Sequence, residues 1–186
     1  MQEATLEAGR SAGDIVLLSA TGSGKTLAFL LPLLARLDKK SKAVQALVIV
    51  PSRELAIQID DVLRKMGTGY KVTLCYGGHK REIEENNLVE APAIIIGTAG
   101  RLADHLRRGN FSTAAIRTLV LDEFDKSLEL GFLEEMEFII SQLTALDKRI
   151  LTSATEAVKI PAFITLNSPA RLNFLPEGGE EKKMLE

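Results

Sequence analysis

Lys25 closes the run Ser19-Ala20-Thr21-Gly22-Ser23-Gly24-Lys25-Thr26, in which glycines and small hydroxyl residues lead to one cation and one further hydroxyl. Glycines let a backbone curl until its N–H groups converge, and convergent N–H groups bind phosphate. In that geometry the Lys25 ammonium reaches the β- and γ-phosphates of a nucleotide, and the Thr26 hydroxyl binds Mg²⁺. The strict P-loop pattern asks for glycine five residues before Gly24; Ser19 stands there, one small residue for another. Thr21, Gly22, Ser23, Gly24, Lys25 and Thr26 are therefore the candidate nucleotide-binding residues. A glycine-rich turn that happens to contain a lysine is the competing reading. The apolar run before the loop and the apolar helical pattern after it favour the phosphate loop.

A second apolar run ends in acids, Leu119-Val120-Leu121-Asp122-Glu123-Phe124-Asp125. A carboxylate at a strand end suits Mg²⁺, which keeps much of its water shell and is usually held through it. Asp122 is the candidate metal residue together with Thr26, and Glu123 the candidate for positioning or deprotonating an attacking water. An aspartate that only caps the next helix is the alternative for this segment alone. Beside a phosphate loop, the two segments complete one Mg²⁺–nucleotide site.

Such a site needs a scaffold that brings loop ends together. Apolar runs recur at 15–18, 46–50, 72–76, 93–96, 118–121 and 149–151, with a weaker one at 171–175. Most are continuous in Val, Ile and Leu, the pattern of strands covered on both faces, as in a parallel sheet. Between them lie helical patterns. Leu55, Ile59, Val62, Leu63 and Met66 share one helix face, and the spacing of Leu128, Phe132, Met136, Ile139, Ile140 and Leu143 predicts a helix there too. Residues 26–37 are apolar nearly all round and predict a deeply buried helix, with a kink or early end at Pro32. The alternation predicts an α/β domain: three layers, a mostly parallel central sheet, ligands beyond the carboxyl ends of its strands.

Composition narrows the classes further. The chain has 186 residues, 46% hydrophobic and 26% charged, which is ordinary for one globular domain and excludes a disordered or low-complexity scaffold. Residues 1–176 read as the domain and 177–186 as a solvated tail, with Leu185-Glu186 resembling a cloning scar. A net charge of -2 excludes a wholly basic surface but not a local basic groove. A single cysteine, Cys75, excludes an intramolecular disulfide, and with no leader or apolar span it predicts a cytoplasmic protein. Cys75 itself reads as a buried small hydrophobe. His79 and His105 read as surface or loop residues, Lys39, Lys40 and Lys42 as a solvated loop, and Arg107-Arg108 as the end of a helix, where cations favour the dipole.

Six segments then stand in one familiar order: residues 22–26, Pro-Ser-Arg-Glu-Leu-Ala at 51–56, Gly77-Gly78, Thr-Ala-Gly-Arg at 98–101, Asp-Glu-Phe-Asp at 122–125 and Ser-Ala-Thr at 153–155. Together they resemble the first RecA-like domain of the DEAD-box RNA helicases, a P-loop NTPase fold, from end to end. The resemblance implies ATP and Mg²⁺ as ligands. It implies backbone contacts to RNA from Pro51, Ser52, Arg53, Glu54, Gly77, Gly78, Thr98 and Arg101. It implies that Ser153 and Thr155, with Asp125 as partner, link the carboxylates to domain closure, and that Gln2, 23 residues before Lys25, recognises adenine. The family has Ala where Phe124 stands, Thr where Ser52 stands and Pro where Ala99 stands. The second RecA-like domain, with its arginine fingers, and an aromatic residue upstream of the glutamine are not in the chain. The implied activity is ATP hydrolysis coupled to RNA duplex opening once joined to that second domain, with no membrane partner and a monomeric isolated domain. Two rivals remain: a helicase of another class acting on DNA, and a non-enzymatic nucleotide- or RNA-binding module. Intact Lys25, Asp122 and Glu123 speak against the second.

Overall fold

The central strands form because helices cover them on both sides, whereas the edge strands at 72–75 and 170–173 are only partly covered. The structure, a computed structural model, describes residues 1–11, 13–156 and 159–176; the expected tail at 177–186 lies outside the described residues. The strands are β1 (Ile15–Leu18), β2 (Ala46–Val50), β3 (Val72–Cys75), β4 (Ile94–Thr98), β5 (Thr118–Leu121), β6 (Lys148–Ser153) and β7 (Ala170–Asn173). They form one sheet in the order β3-β4-β2-β5-β6-β1-β7, and every pairing is parallel. The helices are α1 (Gln2–Arg10), α2 (Lys25–Ala35), α3 (Arg53–Met66), α4 (Arg81–Val89), α5 (Ala99–Arg107), α6 (Phe124–Glu129) and α7 (Leu133–Gln142).

β2 shows why its sequence is uninterrupted Ala-Leu-Val-Ile-Val. Leu47 and Ile49 join a buried cluster with Leu102 of α5 and Met136 and Ile139 of α7. Ala46, Val48 and Val50 join the opposite cluster, with Phe29 and Leu33 of α2 and Ile59 and Leu63 of α3. Successive side chains point to opposite faces, so two covered faces demand apolar residues at every position. This is the three-layer α/β domain expected.

Local signals set the helix ends. α3 starts at Ser52, whose hydroxyl accepts the Leu55 N–H at 3.3 Å, carries Glu54 in its first turn and Arg64 and Lys65 in its last, and stops at Gly67. Each of these complements an unpaired end or the helix dipole. The pattern read as one helix over residues 128–143 is instead broken into α6 and α7. Gly131, at φ +85°, terminates α6. Its N–H donates to Leu128 O at 3.0 Å and that of Phe132 to Ser127 O at 3.1 Å, the paired closure of a left-handed helix end. α2 passes Pro32 and reaches Ala35, so the early stop does not occur. The buried Pro32 packs against α1, so closely that a Cβ on Gly9 would fall 2.4 Å from that of Pro32.

Candidate functional site

Parallel pairing points every strand the same way, so their carboxyl ends share one rim. Each segment singled out in the sequence leaves from or ends on that rim. The strand order divides them: 77–78, 98–101 and 51–54 follow the neighbours β3, β4 and β2, whereas 122–125, 153–155 and 19–26 follow β5, β6 and β1.

In the β5-β6-β1 half, Ser19 extends the ladder, its N–H donating to Ser153 O at 3.0 Å. Its hydroxyl is hydrogen-bonded to that of Ser23, which donates in turn to Ala20 O at 2.6 Å. The serine at the glycine position thus ties the loop across its base. Gly24 is at φ +89°, a conformation that would strain a side chain, and opens α2. Thr21, Gly22, Ser23 and Gly24 are exposed, and Thr26 is half-buried in the first turn of α2. Lys25 is 7% exposed. Its Nζ lies 3.8 Å from Glu123 Oε1 and has no hydrogen-bond partner among the described residues.

Asp122 is 2% exposed. Thr152 Oγ1 donates to its Oδ1, and the same hydroxyl accepts the Glu123 N–H at 2.9 Å. Burial pushes the Asp122 pKa up to about 6, against the lowering influence of the Thr152 hydroxyl and the Lys25 charge. Glu123 sits at φ +50°, ψ +49°. A non-glycine residue there carries strain of about 1 kcal/mol or more, and such strain concentrates at functional sites. Lys126 Nζ lies 3.0 Å from Glu123 Oε2. Asp125 Oδ2 accepts the Ala154 N–H at 3.3 Å and the Thr155 hydroxyl at 3.4 Å, while Ser153 Oγ donates to Thr155 O at 2.9 Å. Phe124, 3% exposed, belongs to the hydrophobic cluster with Leu121, Met136 and Ile139. The bulky residue inside the acidic motif is thus spent on core packing.

Gln2 opens α1 and is exposed, with Nε2 3.2 Å from where a Cβ on Gly24 would lie. The far end of α1 is anchored. Lys148, 1% exposed, donates through Nζ to Ser11 O at 3.0 Å, to Ala8 O at 3.4 Å and to Gly13 O, and burial pulls its pKa below the ordinary lysine value.

In the β3-β4-β2 half, Pro51 is buried, Ser52 caps α3, and Arg53 and Glu54 are exposed and paired at 3.0 Å. Arg53 Nη1 lies 3.3 Å from a Cβ position on Gly78. Gly77 and Gly78 are exposed and Thr98 is half-buried at the end of β4. Arg101 turns inward: its side chain is 14% exposed, Nη2 donates to His79 O at 3.0 Å, and Nε lies 3.7 Å from Glu84 Oε2. Arg53, not Arg101, is the guanidinium open to solvent here.

A sequence profile of the DEAD/DEAH box helicase family matches residues 1–162. The chain belongs to this family. It is 42% identical over 151 residues to the ATP-dependent RNA helicase DeaD of Escherichia coli K12, covering 78% of this chain and 24% of that protein. It is likewise 42% identical over 144 residues to the DEAD-box ATP-dependent RNA helicase CshA of Geobacillus kaustophilus, covering 76% of this chain and 31% of the relative. A crystal structure of a DEAD box protein from Methanococcus jannaschii superposes with TM-score 0.79 at 28% identity, over 90% of this chain and 47% of that one. The chain thus spans about a quarter to a third of the curated relatives' length.

Several residues at this DEAD/DEAH box site escaped the sequence reading. Thr152 holds both Asp122 and Glu123, yet it sits inside an apolar strand 30 residues from Asp122, with no local signal. Glu84 is fully buried on α4 and bonded to His105. His105, read as surface or loop, is instead fully buried on α5: its Nε2 faces Glu84 and its Nδ1 faces Asn110 Nδ2 at 2.9 Å, so the pair is satisfied internally. Cys75 is buried as expected, and burial raises its thiol pKa well above the usual range. Among the described residues no helix is long and apolar enough to cross a membrane.

Proposed function

We propose that this chain is the ATP-binding and RNA-binding N-terminal domain, residues 1–176, of a cytoplasmic ATP-dependent RNA helicase. The carrying observation is Lys25 Nζ, a buried ammonium without a hydrogen-bond partner among the described residues, set between the glycine loop and Glu123. A buried ammonium whose hydrogen bonds are unmade is costly, and a nucleotide's β- and γ-phosphates match it. Thr21, Gly22, Ser23, Gly24 and Thr26 complete the cradle, with Gln2 at the adenine edge. Asp122, through water, and Thr26 would hold Mg²⁺. The fit rests on the donor set, one buried carboxylate and one hydroxyl near the phosphate loop, and the ion would neutralise charge on the phosphates. Glu123 positions the attacking water or takes its proton. Asp125, Ser153 and Thr155 form the hydrogen-bonded link by which closure against a second domain reaches the carboxylates. Pro51, Ser52, Arg53, Glu54, Gly77, Gly78, Thr98 and Arg101 form the RNA half. Contacts there go to the backbone and are largely independent of sequence.

Calorimetry with ADP and a non-hydrolysable triphosphate tests the nucleotide reading. Lys25→Ala is expected to melt like the parent and to lose most triphosphate binding. A folded variant that binds ATP with parental affinity would refute the assignment. Hydrolysis by this chain alone is expected to be slow, because an arginine finger from a second domain is worth roughly 10³–10⁵ in rate.

A further inference from the structure

Glu84 is a fully buried carboxylate that no part of the nucleotide chemistry uses. Its two oxygens serve two different segments. Oε1 accepts the Tyr76 N–H at 3.0 Å and faces His79 Nδ1 at 3.3 Å, both in the loop that carries Gly77-Gly78. Oε2 meets His105 Nε2 at 2.5 Å and Arg101 Nε at 3.7 Å, both on α5, which starts directly after Thr98. Arg101 closes the circuit by donating to His79 O at 3.0 Å. Arg53 leans on the same loop at Gly78.

We propose that Glu84 is a positioning residue for RNA: its carboxylate clamps the β3–α4 loop to the start of α5, so that Gly77, Gly78 and Thr98 meet the RNA backbone as one rigid surface. Arg101 is then a strut within that clamp. Exposed glycines are a poor platform by themselves, because glycine loses more backbone freedom on ordering than any other residue. Fixing them beforehand removes that cost from the binding step. The electrostatics agree with a clamp. Burial alone would raise the Glu84 pKa, but bonds from His105, Tyr76 and His79 and the charge of Arg101 together lower it, so the carboxylate is ionised and paired. Cys75, Glu84 and His105 also lie within 4.8 Å of one another, a spacing compatible with a metal ion. Hydrogen bonding favours the clamp, because both Glu84 oxygens and His105 Nε2 are already engaged and the Cys75 thiol is held protonated by burial.

The inference rests on the RNA reading of this half of the rim, and the test separates the two. Anisotropy of a labelled single-stranded oligouridylate is followed at several salt concentrations with the parent chain, Glu84→Ala and Glu84→Gln. ADP affinity and amide exchange at residues 76–80 are measured on the same samples. Glu84→Ala is expected to bind RNA about tenfold more weakly, with ADP affinity unchanged, faster exchange at Tyr76 and an unchanged salt slope, because Gly77, Gly78 and Thr98 neutralise no phosphate. Glu84→Gln keeps the volume and one acceptor, and a smaller loss of about threefold is expected; it carries the test if Glu84→Ala does not fold. A folded variant with parental RNA affinity overturns the clamp and leaves the RNA reading standing. A parent chain that binds no RNA overturns the RNA reading and the clamp with it. Equal losses of RNA and ADP affinity would show a general structural role and also overturn it.

Discussion

The two halves of the rim each bury a carboxylate, and the two behave in opposite ways. Asp122, beside the phosphate loop, has its pKa pushed up to about 6. Glu84, beside the glycine pair, has its pKa lowered although it too is closed off from solvent. The difference is depth and partners, Asp122 lying deeper in the protein. Asp122 draws on one hydroxyl, on Lys25 at longer range and on the Glu123 N–H, with the Glu123 charge opposing them, whereas Glu84 is served by a backbone N–H, two imidazoles and a guanidinium. A paired buried charge is structural, while a poorly compensated one stores free energy that a cation or ligand can release. The same chemistry, a carboxylate out of water, therefore marks a binding site in one half and a clamp in the other.

Removing each acid in turn should break the symmetry of the pair. Glu84→Ala leaves Arg101 without its counter-charge and is expected to cost about 3–5 kcal/mol in urea unfolding at pH 7. The lowered Glu84 pKa places its contribution above the ordinary 4.5, to be lost as pH falls through the folded value. Asp122→Asn should do the reverse. Between its ordinary 3.8 and about 6 the folded chain holds the proton more tightly than the unfolded chain, so stability falls as pH rises through that window. Without metal or nucleotide, the variant should gain up to about 3 kcal/mol over the parent at pH 8 and nothing at pH 4. Destabilisation by Asp122→Asn at pH 8 would show that the two acids do not differ.

Ligand measurements sharpen the contrast at smaller scale. Lys25→Ala is expected to weaken ATP binding at least a hundredfold, about 2.7 kcal/mol, without moving RNA affinity. Coupled loss of both would mean that the halves are one site. Thr152→Val removes the hydroxyl shared by Asp122 and Glu123 and should cost about 1–2 kcal/mol in Mg²⁺-dependent nucleotide affinity. The smallest effect concerns Gln2, which is exposed at the start of α1. ADP and GDP should bind within about tenfold, a gap near 1.4 kcal/mol, and Gln2→Ala should narrow it. A several-hundredfold preference for ADP, abolished in that variant, would show that the α1 anchor at Lys148 holds Gln2 more firmly than its exposure implies.

Not every element was equally legible. The central strands were, because two covered faces force continuous Val, Ile and Leu. The break at Gly131 was not, since its flanks keep helical spacing across the turn. α1 was missed because its buried residues are Thr5 and Gly9, small side chains that give no apolar stripe.

The sequence by itself determined the loop that can cradle phosphate, the acids that follow β5 and the parallel sheet that makes their meeting possible. Those features are local: glycines at fixed offsets, acids at a strand end, apolar runs of strand length. Only the tertiary structure decided which hydroxyl supports Asp122, that Arg101 faces inward, that Phe124 serves the core, and that Glu84 and His105 are buried together. The Glu84–His105 and Asp122–Thr152 pairings join residues 21 and 30 positions apart, across neighbouring strands and helices. Their energies depend on burial and partner geometry, which no spacing along the chain encodes.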